Sequence, residues 1–116
     1  VTAEPSPPDL FATLDDDYAR DILVATKTTR LSAKELSEKC GMSRPTVSRR
    51  VNALVEQGLL EEYTHVDPGG RHYREYEARL ERVEVLLRAE GFDVQIDWRP
   101  DPADRLTSIF QDMRSD

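Results

Sequence analysis

A chain of 116 residues, 38% of them hydrophobic, is long enough to form one domain that buries a core without help from metals or disulfides. Acidic residues outnumber basic ones 23 to 16, giving a formal net charge of -7, and the single cysteine, Cys40, excludes an internal disulfide and the thiolate cluster of a structural zinc site. No apolar run approaches the roughly 20 residues that span a bilayer, and the first residues lack a basic region followed by an apolar stretch, so a soluble cytoplasmic protein is expected.

Residues 1–9, VTAEPSPPD, contain Pro5, Pro7 and Pro8 and no apolar period, and read as a flexible lead-in ending near residue 10. From Asp15 the pattern changes. Tyr18, Ala19, Ile22 and Leu23 recur at helical spacing behind Asp15, Asp16 and Asp17, which suit the positive end of a helix dipole, so a helix is expected over about 15–27. Ser32 with Glu35 three positions later forms a capping box for a second helix over about 33–40, and Gly41 supplies the residue that ends it. Only Met42 separates Gly41 from Ser43, which caps a third helix over about 44–57; Pro45 lies in its first turn, where a missing N–H does little harm, and Gly58 closes it. Two short helices joined by a tight glycine-containing turn form a helix-turn-helix.

Two strand-like runs follow, about 59–64 and 71–77, around Asp67-Pro68-Gly69-Gly70, which is strong turn chemistry. A hairpin directly behind a helix-turn-helix is a wing. Over 79–98, Val83, Val85 and Leu87 alternate before the Arg88–Gly91 turn, and Phe92, Val94, Ile96 and Trp98 alternate after it, which favours a second hairpin. Leu80, Val83 and Leu87 also fit a helix face stopped by Gly91. Asp101-Pro102 opens a last helix with Leu106, Ile109, Phe110 and Met113 along one stripe, a candidate dimer interface. The expected fold is α+β: a winged helix-turn-helix over 11–78, then 79–116 as a β-hairpin and a C-terminal dimerisation helix.

On a wheel of about 100° per residue, Val47, Val51, Leu54 and Val55 of the third helix share one sector, opposite Pro45, Ser48, Arg49, Asn52 and Glu56. One side anchors the helix and the other is free. Arg49 can grip guanine O6 and N7 with two hydrogen bonds, and Ser48 and Asn52 can reach base edges or phosphates. Ser43, Arg44, Thr46 and Arg50 lie near the helix start or its flanks, where phosphate contacts are natural.

The stretch LSAKELSEKCGMSRPTVSRRVNALVEQGLLEE resembles the helix-turn-helix of the ArsR and MarR-like families of small prokaryotic transcription regulators. There a Gly-hydrophobe-Ser turn precedes a Thr-Val-Ser-Arg recognition helix. The resemblance covers about residues 15–77 and implies a major-groove set of Ser43, Arg44, Pro45, Thr46, Ser48 and Arg49, supported by Arg50 and Asn52. It also implies that Arg71, His72 and Arg74 of the wing reach the flanking minor groove or backbone. His65 and Tyr73 equally suit structural roles.

An acidic chain whose only lysines are Lys27, Lys34 and Lys39 is similar in composition to proteins of salt-loving archaea, and the whole chain resembles haloarchaeal winged-helix regulators, including those that respond to oxidative stress. Double-stranded DNA and a second copy of the chain are the implied partners. Metal sensing finds no ligand cluster in one Cys and two His, and no cofactor or small-molecule ligand is indicated. Cys40, beside the helix-turn-helix hinge, suits an oxidation sensor but better suits a small buried hydrophobe. With no phosphate loop, nucleophile elbow or metal motif, an enzyme is not expected. The rival is a winged helix that binds protein and shows no sequence preference on DNA.

Overall fold

A computed structural model of the chain describes residues 4–100. In chain order its elements are α1 (Pro7–Asp15), α2 (Asp17–Ala25), β1 (Leu31–Ser32), α3 (Ala33–Cys40), α4 (Arg44–Glu56), β2 (Leu60–Val66), β3 (His72–Ala78), β4 (Leu80–Arg88) and β5 (Gly91–Trp98).

The N-terminal stretch departs from the expected flexible lead-in. Ser6 is a helix N-cap whose hydroxyl accepts from the Asp9 amide at 3.3 Å, and Pro7 and Pro8 occupy the first helical positions. Proline lacks an N–H that the first turn would leave unpaired anyway, and its fixed φ is already helical. The prolines therefore start α1, and Leu10 is fully buried. Asp16, with extended backbone, ends α1 and begins α2, its carboxylate accepting from the amides of Tyr18 at 2.9 Å and Ala19 at 3.1 Å. The helix expected over 15–27 is thus the second of two, starting after a sharp corner. At its end Thr26 is wholly buried; its hydroxyl donates to the Ile22 carbonyl at 2.8 Å and its own carbonyl accepts from the Ala78 amide at 3.1 Å.

α3 has both halves of its capping box. The Ser32 amide donates to Glu35 Oε1 at 3.0 Å and the Glu35 amide donates to Ser32 Oγ at 3.2 Å. Gly41 takes φ 65°, the left-handed conformation that a side chain disfavours, and turns the chain into α4. Met42 in that turn is buried, and Leu36 of α3 joins Ile22, Val47, Val51 and Leu54 in the core.

β2 and β3 form an antiparallel hairpin with Leu60 opposite Ala78 and Val66 opposite His72. The two-residue β1, which no sequence pattern marks, adds to β3 with Leu31 opposite Tyr76, completing a sheet of order β1-β3-β2. β4 and β5 make a separate two-stranded ribbon, as the alternation favours, and the helical alternative over 79–98 is excluded. Val83, Val85 and Leu87 of β4 share one face with Phe92, Val94 and Ile96 of β5, by the alternation of side chains in strands. That face is partly packed: Phe11 of α1 meets Phe92 edge-on at 6.3 Å, while Leu87 and Phe92 stay 76% and 61% exposed.

Arg99 braces the back of the wing. Its guanidinium donates to the Ala78 carbonyl at 2.6 Å and Glu61 at 2.8 Å and lies 3.0 Å from Glu77. The fold is α+β, a winged helix-turn-helix with an additional β-hairpin. The expected C-terminal dimerisation helix lies outside the described residues.

Candidate nucleic-acid interface

Ser43 caps α4, its hydroxyl accepting from the Thr46 amide at 3.3 Å and donating to Thr46 Oγ1 at 2.8 Å. Behind this start, Val47, Val51 and Leu54 are almost completely buried, which fixes the rotation of the helix about its axis. Arg44, Pro45, Ser48, Arg49 and Asn52 are consequently exposed on the other side, and Thr46 is half-buried between. Arg49 donates to Thr46 Oγ1 at 3.4 Å, a long contact that leaves most of its donors free.

The wing turn is tied to itself: the Arg71 amide donates to Asp67 Oδ1 at 2.9 Å, the Gly70 amide to the Asp67 carbonyl at 2.9 Å, and Gly70 takes φ 83°. Arg71 and His72 are exposed at its tip. His72, Arg74 and Tyr76 of β3 face Arg44 and Lys34 across a cleft of about 500 Å³ between the wing and the starts of α3 and α4. Lys34 was not among the sequence-derived contacts. Its only local signal is its position in the first turn of a capped helix, and its relevance comes from the wing folding back beside it.

Most other arginines are matched to carboxylates: Arg20 with Asp17, Arg30 with Glu77, Arg82 with Glu84, Arg88 with Asp93 and Arg99 with Glu61 and Glu77. Arg74 also has a carboxylate, Glu62, at 3.5 Å, but its side chain stays 62% exposed. Lys34, Arg44, Arg49 and Arg71 have no side-chain carboxylate partner among the described residues, nor do Lys39 at the other end of α3 and Arg79, which is engaged by the Gly58 carbonyl and Trp98. An acidic protein thus leaves a group of uncompensated cations on the recognition helix, the start of α3 and the wing.

Arg50, expected to support the recognition set, has partners within the chain. Its Nε lies 2.8 Å from Asp16 Oδ2 and its guanidinium stands 5.8 Å over the Tyr18 ring, so it engages the corner between α1 and α2. The next residue along a helix points about 100° away, which carries Arg50 off the face that holds Arg49. His65 stacks on Tyr73 at 5.4 Å and lies 2.8 Å from Glu75, on the face of the wing opposite Arg74 and His72, in keeping with a structural role. Leu106, Ile109, Phe110 and Met113 lie outside the described residues.

Cys40 is half-buried at the end of α3, with Sγ 3.9 Å from the Asp21 carbonyl. Burial pushes its thiol above the ordinary value and the Asp21 carboxylate adds to this, with Lys39 partly opposing. Among the described residues no group of three or more His, Cys, Asp and Glu is placed to hold a metal ion, and no helix is long and apolar enough to cross a membrane.

Residues 16–61 match the family described as winged helix-turn-helix DNA-binding. No curated protein matches the chain in sequence. The matched segment runs from the N-cap of α2 through the helix-turn-helix to the first residues of β2. In fold and in sequence the chain is therefore similar to winged helix-turn-helix DNA-binding proteins, and this likeness supports a DNA-binding regulator.

Proposed function

We propose that the chain is a sequence-specific double-stranded DNA-binding transcription regulator that acts as a homodimer on a pseudo-palindromic promoter site. α4 enters the major groove, where Arg49, Ser48 and Asn52 meet base edges and Ser43, Arg44 and Thr46 meet phosphates. Arg71, His72 and Arg74 of the wing reach the flank. The observation that carries this reading is the group of cations without carboxylate partners that gathers on α4, the start of α3 and the wing of an acidic molecule. A single recognition helix reads few base pairs, whereas a two-fold dimer reads two half-sites about one helical turn apart. The exposed apolar residues Val85, Leu87 and Phe92 support the presence of a second copy.

The high-salt setting and the response to oxidant rest on the composition and the resemblance. In this reading an oxidant response does not run through Cys40, because burial raises its thiol pKa and so disfavours the reactive thiolate. The direct test is fluorescence anisotropy on promoter duplexes and scrambled controls. Arg49→Ala is expected to weaken the preferred site by about 1–3 kcal/mol, the worth of one bidentate base contact, with little change on scrambled DNA. Equal binding of all duplexes by the unmodified chain would leave the protein-binding winged helix as the better reading.

A further inference from the structure

The Asp16 carboxylate does two jobs with its two oxygens. Oδ1 accepts from the Tyr18 and Ala19 amides and caps α2, while Oδ2 lies 2.8 Å from Arg50 of α4. A second tie joins the same corner to the same helix: Thr13 Oγ1 donates to Gln57 Oε1 at 2.9 Å. Residues 50 and 57 are about two turns, roughly 10 Å, apart along α4. Two ties at that spacing hold α1 and its corner with α2 against a helix whose rotation the buried Val47, Val51 and Leu54 already fix. Burial works against ionisation of Asp16, but the Ala19 amide, Arg50 and the Tyr18 amide together outweigh it and hold its carboxyl below the ordinary value.

Arg49 and Arg50 border one cleft of about 250 Å³ between α1, α2 and α4. Adjacent guanidinium groups in such a place are not equivalent for recognition. One directed at bases discriminates between sequences, whereas one free to swing onto phosphate adds affinity for every sequence alike.

We infer that Asp16 is a specificity-determining positioning residue: it holds Arg50 on the α1–α2 corner, away from the DNA backbone, and so leaves base reading to its neighbour Arg49 on the free side of α4. The inference rests on the DNA-binding reading above. It assigns the segment before the helix-turn-helix a part in sequence discrimination, although that segment supplies none of the proposed base contacts.

The test is anisotropy of the full chain on a preferred promoter duplex and on its scrambled counterpart over a KCl series, with thermal unfolding in parallel. Asn caps a helix about as well as Asp, so Asp16→Asn removes the hold on Arg50 and leaves the start of α2 intact. It is expected to raise affinity for the scrambled duplex several-fold, to narrow the ratio between the duplexes, and to steepen the log–log salt slope by about 0.9, the increment of one phosphate contact. Arg50→Gln leaves the original slope unchanged, and the double variant returns to it. Asp15→Asn, an exposed neighbour of equal charge, controls for through-space attraction and leaves the slope unchanged.

A shallower slope in Arg50→Gln alone would show Arg50 already on phosphate and would overturn the inference. So would an equal effect of Asp15→Asn, unchanged binding by Asp16→Asn, or a loss on both duplexes in step with a lower melting temperature. A wild-type chain that bound the two duplexes equally would overturn the DNA-binding reading, and the inference with it.

Discussion

Arg49 and Arg50 are neighbours in sequence, yet one is exposed on the free side of α4 and the other is occupied by Asp16. Because the carboxyl of Asp16 is depressed below its ordinary value of 3.8, the ion pair adds stability above that pH and loses it as pH falls through the lower, folded value. The stability gap between the wild-type chain and Asp16→Asn, measured by chemical unfolding, should therefore be open at neutral pH and close in acid below pH 3.8. It should be modest, since both side chains are about one-third exposed and salt screens such pairs. For Cys40 the sign is opposite. Its raised pKa leaves little thiolate at neutral pH, so alkylation should be slower than for a free cysteine and still accelerating above pH 9.0. Cys40→Ser should leave any oxidant dependence of DNA binding unchanged in the same anisotropy assay; a lost response would make Cys40 the sensor.

Among the elements, α1 has the least expected role. Leu10 is fully buried, Phe11 supports the ribbon through Phe92, and Thr13 reaches Gln57 of α4. Leu10→Ala should cost about 2–5 kcal/mol of unfolding free energy in urea, the range for emptying a buried leucine site. A flexible lead-in would give no change. The β4–β5 ribbon depends on such neighbours, because an isolated two-stranded hairpin is marginal in water. Trp98 lies under the Arg79 guanidinium at 5.0 Å, and Arg79 also donates to the Gly58 carbonyl at 3.0 Å, so the ribbon is fastened at the root of the wing. Arg99 adds contacts to Glu61 and Glu77, which join the end of the ribbon to the base of the wing.

For the molecule as a whole, net charge and DNA binding are reconciled by where the charges pair. Most arginines away from the proposed interface are matched to carboxylates, whereas Lys34, Arg44, Arg49 and Arg71 on α3, α4 and the wing are not. Each cation placed on phosphate contributes a salt slope of about 0.9, so with so small a group the affinity is expected to depend less on KCl than that of a broadly basic repressor, which anisotropy over a KCl series measures. Assembly is the second property at this level. If the stripe of Leu106, Ile109, Phe110 and Met113 joins two copies, Leu106→Asp or Ile109→Asp yields monomers by light scattering, with affinity for a two-half-site promoter falling toward that for a single half-site. A persistent dimer would place the contact elsewhere, with the exposed edge of Val85 and Leu87 the next surface to alter.

Features set by neighbours a few positions apart are legible in the sequence itself. The Ser32–Glu35 capping box, the left-handed Gly41, the Ser43 cap and the Asp67–Gly70 turn each depend on local backbone chemistry, and together they dictate a helix-turn-helix followed by a wing. The valine stripe likewise fixed which side of α4 is buried. Contacts between segments remote in sequence were not legible. The prolines of α1 looked like a linker because nothing local shows that Leu10 finds a core, and β1 is too short to have a pattern of its own. Lys34 joins the cleft, and Arg50 gains Asp16 as a partner, only once the wing and the α1–α2 corner pack beside them. Charge pairing is a matter of distance in space, and a sequence specifies that distance only through the completed fold.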